Sequence, residues 1–299
     1  MSKSNMSNVS KLMLCLAAAT LSNGAQAAPV PQFAPDPAVS WMALYSEFQP
    51  PPSGPGPVLQ DPAHPRVTNA EFRKTGRQPT QPIADLGNPI LQPWAREELR
   101  RHNTLVLSGQ AAMSRSASCW PEGVPAFLLH AVRPYFFIQT QDKVLLIYEG
   151  DADVRHIYLT DKHSENVKAS WFGESIGHYE GDTLVVDTIG LTTKTFVDNY
   201  YTPHTRQLHV VERFRLLDDG DGIEARVHVE DPGAFSTPWD AVQRFRRIEP
   251  GRTENDLPLA EVGSQGLAAP LQEVRCAEST FSFSGDRAVQ IPHADEPDF

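Results

Sequence analysis

From residue 135 to 248 the chain alternates apolar and polar side chains in short runs, and glycine or aspartate turn chemistry breaks the runs apart. A period of two is the signature of a strand with one buried face. Tyr135–Thr140 and Lys143–Glu149 flank the turn Gln141-Asp142, and Arg155–Leu159 follows. Ser175–Tyr179 and Thr183–Thr188 flank Glu180-Gly181-Asp182. Leu208–Leu217 and Ile223–Val229 flank the DDGDG stretch at 218–222, and Trp239–Ile248 closes the set. Eight short strands, several joined by hairpin turns and without βαβ alternation, predict a mainly β domain. Its expected form is an antiparallel curved sheet or a calycin-like up-and-down barrel. A helix is predicted ahead of it, with Asn88 as cap, Pro89 at the first position and Leu91, Trp94, Ala95 and Leu99 on one face.

What precedes the strands is of different composition. Lys3 and Lys11 flank an N-terminal region that leads into the apolar run Leu12–Leu21, and Ala25-Gln26-Ala27 follows as a small-residue cleavage site. This pattern predicts a signal peptide over 1–27 and an exported product, periplasmic or secreted. The run is too short to span a bilayer. Residues 28–84 are rich in Pro, Gly, Ser and Asp and read as a leader, either mobile or strapped to the domain; Trp41, Leu44, Tyr45 and Phe48 suggest a short docked helix within it. The main domain is then expected over 85–280, with a tail at 281–299. Removing the signal takes away two lysines and no acid, so the formal charge of −11 becomes −13. Such an acidic chain repels phosphate backbones, which argues against nucleic-acid partners. Cys15 leaves with the signal, and Cys119 and Cys276 form an even pair for a disulfide in an oxidising compartment.

Candidate chemistry comes from acids on apolar strand faces. Glu212 shares a face with Leu208, Val210, Phe214 and Leu216, so it is expected inside the barrel. Glu149 is in phase with Leu145 and Ile147, and Asp231 with Val227 and Val229. A buried carboxylate needs a partner, and desolvation raises its pKa towards the range useful for proton transfer. The competing expectation is a structural network with Arg155, Arg213 or Arg244. Alternation sends His156, His209 and His228 outward, while His163 and His204 lie on loops that can reach the barrel mouth. The segment 189–207 is too long for a hairpin loop and carries Phe196, Asn199, Tyr200, Tyr201 and His204, which either pack on the rim or cover a ligand. The run Gly173-Glu174-Ser175-Ile176-Gly177 matches a nucleophile elbow in letters but leads into a hairpin, so Ser175 is expected to line the interior. No tight metal-ligand spacing and no phosphate-cradling loop stand out, so no cofactor is expected.

Several runs taken together carry a resemblance: NPILQPWAREELRRHN, CWPEGVPAFLL, PYFFIQTQDKVLLIYEGDADVRHIYL, SWFGESIGHYEGDTLVVDTIGLTTKTFVDNYYTPHTRQLHVVERF and VEDPGAFSTPWDAVQRF. The chain resembles, over roughly residues 85–280, a widespread family of exported bacterial proteins without an assigned activity. The resemblance supplies no catalytic residue. Three functions remain open from the residues, one of them a structural role in the envelope with the proline-rich leader as tether. Another is an enzyme acting on a small apolar or aromatic molecule by acid–base chemistry, with Glu212, His204, Glu149 and Asp231 as catalytic groups. Tyr148, Ser175, Tyr200, Tyr201, Asn199 and Arg155 would then contact the substrate. The third is a carrier holding a hydrophobic ligand unchanged.

Overall fold

The computed structural model describes residues 30–248 apart from 37–38, 78–79, 110–118, 132, 151–152 and 218–219, together with segments 281–284 and 287–290. The expected export signal and Cys276, the expected partner of Cys119, lie outside the described residues.

All eight expected strands form. They are β2 (Tyr135–Gln139), β3 (Lys143–Tyr148), β4 (Asp153–Tyr158), β5 (Glu174–Glu180), β6 (Thr183–Ile189), β7 (His209–Leu216), β8 (Gly222–Glu230) and β9 (Trp239–Ile248). A ninth strand, β1 (Ser40–Ala43), comes from the proline-rich leader and pairs with both β9 and β2, so that the sheet closes into a barrel. The short docked helix expected around Trp41 is therefore a barrel strand. The leader is a strap: Gln139 donates to the Pro31 carbonyl (2.9 Å) and accepts from the Phe33 amide (2.8 Å), and Phe33 packs on Phe137. A boundary at residue 85 accordingly does not separate leader from barrel.

Nine strands cannot alternate direction all the way round a closed ring, so at least one neighbouring pair must be parallel. That pair is β4–β5, where Ile157 faces Ser175 and Tyr158 faces Ile176. The strict up-and-down order is broken there by the crossover of residues 160–173. The glycine opening β5 meets a backbone demand: Gly173 has φ of 63°, and a Cβ on it would lie 2.4 Å from the Ile189 carbonyl oxygen.

The predicted helix begins later than expected. α1 (Asn69–Thr75) lies in the leader, and α2 runs Pro93–Leu107 with Pro93, not Pro89, in its first turn. The backbone of Leu91 instead bridges Phe235. Ala95, Leu99 and Asn103 form the buried stripe of α2, and Asn103 donates to and accepts from the backbone of Ala84. Trp94, expected on that stripe, is exposed and donates its indole N–H to the Gly233 carbonyl. β10 (Phe281–Ser284) and β11 (Arg287–Gln290) form a separate hairpin within the expected tail. Among the described residues no helix is long and apolar enough to cross a membrane.

Candidate functional site

The barrel interior is mostly apolar but holds a buried polar cluster; apart from it, Gln243 of β9 is also buried and donates to the Tyr45 and Leu128 carbonyls. Alternation along β7 places Val210, Glu212 and Phe214 inside, and the Glu212 side chain is fully buried. Arg155 points inward from β4 and is equally buried. Its guanidinium donates to both Glu212 carboxylate oxygens, Nη1 to Oε1 at 2.9 Å and Nη2 to Oε2. Nε and Nη2 reach Ser175 Oγ at 3.2 Å each, Nη2 reaches Thr188 Oγ1 at 2.9 Å, and the two hydroxyls lie 2.9 Å apart. Fork geometry of this kind satisfies a buried carboxylate through charge-assisted hydrogen bonds. The expectation of Glu212 inside the barrel is met. Its carboxylate is clamped by Arg155, the structural network foreseen as the competing expectation. Ser175 lines the same cluster, as expected.

The other acids and the loop histidine are placed elsewhere. Inward positions on β3 are Val144, Leu146 and Tyr148, so Leu145 and Ile147 face out and the phase assigned to Glu149 does not hold. Glu149 is buried just past the strand end, where its amide donates to the Pro134 carbonyl. Tyr148 stacks on His130 (4.4 Å) and packs near Tyr135 (5.1 Å). His130 in turn sits 3.4 Å from the buried Glu122, a pair that strand alternation does not reveal because both lie on the segment before β2. Burial pushes the Tyr135 phenol well up, so its hydroxyl stays protonated and donates to the Phe127 carbonyl.

Asp231 lies beyond the end of β8 and organises the loop at 205: it accepts from the Thr205 amide and hydroxyl and from the Gly233 amide. His204 is buried in the same loop, where its Nδ1 meets the Thr205 carbonyl (2.8 Å) and its Nε2 meets Thr195 Oγ1 (2.8 Å). Burial pulls the His204 pKa down, against the opposing pull of that carbonyl and of Asp231. A carbonyl only accepts, so His204 Nδ1 carries a proton and donates to Thr205. The four expected catalytic residues do not converge. The long segment 190–207 is held by its own hydrogen bonds and by the leader: Asp198 accepts from the Tyr200 and Thr202 amides, and Asn199 donates to the Ser46 carbonyl. Tyr200 is buried, which raises its pKa.

Of the expected contact residues, Tyr201 lines a cleft. Its φ is 65°, a left-handed conformation uncommon outside glycine. Its ring stacks on His102 of α2 at 4.4 Å and meets Phe196 edge-on at 5.0 Å. These rings, with Leu105, Pro203 and the Glu98–Arg101 pair at the rim, line a cleft of about 240 Å³.

A second constellation lies on the outer wall. His163, from the crossover, sits 2.9 Å from Glu174 through Nδ1 and 2.9 Å from Asp187 through Nε2. His209 Nε2 shares the same Asp187 oxygen at 3.1 Å, and its Nδ1 lies 3.5 Å from Glu230. His228 then joins Glu230 (3.0 Å) to Asp240 (2.8 Å). The outward orientation of His209 and His228 is as expected; His163 sits on the wall rather than at a mouth. Hydrogen bonds from Ser164 and His163 hold Glu174 below the usual carboxylate range, and those from His228 and His209 do the same for Glu230. Burial pulls Asp187 up, but His163 and His209 outweigh it and leave its pKa lowered. Burial pulls His228 down, but Asp240 and Glu230 outweigh it and leave its pKa raised. Among the described residues no group of three or more side chains is placed to hold a metal ion.

The fold and these two surface features define a closed-barrel protein with a buried ion-pair centre. Comparisons with family models, curated proteins and solved structures give no match for this chain.

Proposed function

We propose that this protein is a non-catalytic binding protein of an exported compartment, and that it holds a small aromatic or apolar molecule in the cleft between α2 and segment 190–207. The observation that carries the reading is Tyr201. A non-glycine residue in a left-handed conformation, held there beside a cleft, is the kind of local strain that accompanies ligand contact. Its ring, with His102 and Phe196, gives the cleft an aromatic wall suited to a planar molecule. The engagement of Glu212 by Arg155, and of His204 and Asp231 by the 205 loop, supports binding over acid–base turnover, because none of the three presents an unengaged proton donor or acceptor to a shared space. Export is supported by the positive and apolar pattern of residues 1–27.

The test is calorimetric titration of the mature chain with indole, phenol and benzoate. At least one should bind, and Tyr201→Ala should weaken it about tenfold or more, the scale of one lost aromatic contact with its burial. Equal affinity in wild type and Tyr201→Ala, or absence of binding by all three, would remove the proposal.

A further inference from the structure

The crossover 160–173 bridges the one parallel seam of the barrel, and that seam is thin: two residue pairs join β4 to β5. Directly inside it sit Arg155 of β4 and Ser175 of β5, two members of the buried cluster. From 160 to 170 the crossover is exposed except at His163 and Val167. Val167 packs against Gly190, where an added Cβ would lie 2.3 Å from its methyl. The first half of the crossover is held by His163 and by Ser164, whose amide and hydroxyl both donate to Glu174 (2.7 and 2.5 Å).

His163 faces acceptors on both sides. A carboxylate offers only lone pairs, and a neutral imidazole carries a single N–H. Hydrogen bonds to Glu174 and Asp187 at the same time therefore require the imidazolium. His209 of β7 meets the site through the shared Asp187 oxygen, and the crossover itself carries Asp161, Lys162, Glu165 and Lys168. Beyond His209 the alternation continues through Glu230 and His228 to Asp240, so each imidazole on this wall is flanked by two acids.

We infer that His163, charged and seated between Glu174 and Asp187, is a proton-dependent latch that fastens the β4–β5 crossover to the outer wall of the barrel. Loss of its proton removes one hydrogen bond and sets a nitrogen lone pair against a carboxylate oxygen. The crossover then keeps Ser164, Val167 and the Ser170 backbone bonds to Gly190 and Thr192 as anchors, and its first half opens more often from the outer face of β5 and β6.

The experiment is hydrogen exchange of the full mature chain, resolved by peptide and corrected for intrinsic exchange chemistry, at about pH 6 and about pH 8.5, on either side of the ordinary histidine range. Protection of 160–172 should fall by about tenfold at the higher pH, the scale of one charge-assisted hydrogen bond, while β2 and β3 keep theirs. His163→Gln should show low protection at both pH values. Ring nitrogen spectra of the wild type give a readout that does not depend on a variant: His163 should carry protons on both nitrogens at about pH 6. A singly protonated His163 at that pH, pH-independent protection of the crossover, or an unchanged pH response in His163→Gln would each overturn the latch.

Discussion

The guanidinium of Arg155 donates at once to Glu212, Ser175 and Thr188, and none of these groups touches water. At the scale of single residues this arrangement governs what substitution does. Glu212→Gln keeps the shape but leaves a buried guanidinium without its counter-charge, so it should destabilise the fold by about 3–5 kcal/mol, measured by urea denaturation. Replacing both partners with apolar groups, Arg155→Met with Glu212→Leu, should recover most of that loss, because the double change also removes the need to desolvate two charges. Equal losses in the single and double variants would mean that packing, not charge pairing, sets the cost. The inward direction of Glu212 is readable from its strand neighbours. Its partner is narrowed by sequence only to Arg155, Arg213 or Arg244, because Arg155 lies on β4 and meets β7 only across the barrel interior.

Among the elements, the eight strands from 135 to 248 are legible because each is long enough for alternation to register and is bounded by turn chemistry. β1 is not, because four buried residues in a row show no alternation and proline-rich sequence surrounds them. The α2 boundary shifts because Pro89 and Pro93 are equally acceptable in a first turn. The outer-wall chain was missed for a different reason. Two of its links depend on register between strands: the turn between β7 and β8 sets His209 opposite Glu230, and that between β8 and β9 sets His228 opposite Asp240. Hairpin register, worked out from turn length, is the signal that could have found them. At this scale Gly173→Ala is informative. The positive φ and the close Ile189 carbonyl predict a loss above about 1 kcal/mol and weakened pairing at the start of β5, seen as faster amide exchange at 174–176. A neutral effect would show that the turn into β5 adjusts freely.

For the whole molecule, the charged groups give stability a definite shape against pH. Glu174, Asp187 and Glu230 have folded pKa values below their ordinary 4.5, 3.8 and 4.5, so their contribution is present above those values and is lost as pH falls through the folded ones. The two perturbed histidines act in opposite senses around 6.5. His228 is raised, so its contribution is present below 6.5 and lost as pH rises through its folded pKa; His204 is lowered, so its contribution is present above 6.5 and lost as pH falls through its folded pKa. Thermal melts of His228→Gln should therefore show a smaller decline on the alkaline side than wild type. An unaltered alkaline limb would contradict the bridging role of His228 between Asp240 and Glu230.

The central claim is that the barrel is a filled scaffold and that ligand is held outside it. The direct measurement is a titration of the isotopically labelled protein with indole, followed by backbone and arginine side-chain resonances. The account predicts shifts confined to α2 around His102 and to residues 196–203, with the Arg155 Nε–H signal and the inward methyls of Val186, Val210 and Val227 unmoved. Movement of the Arg155 signal together with those interior methyls, with Tyr201 silent, would put the ligand inside the barrel and contradict the account.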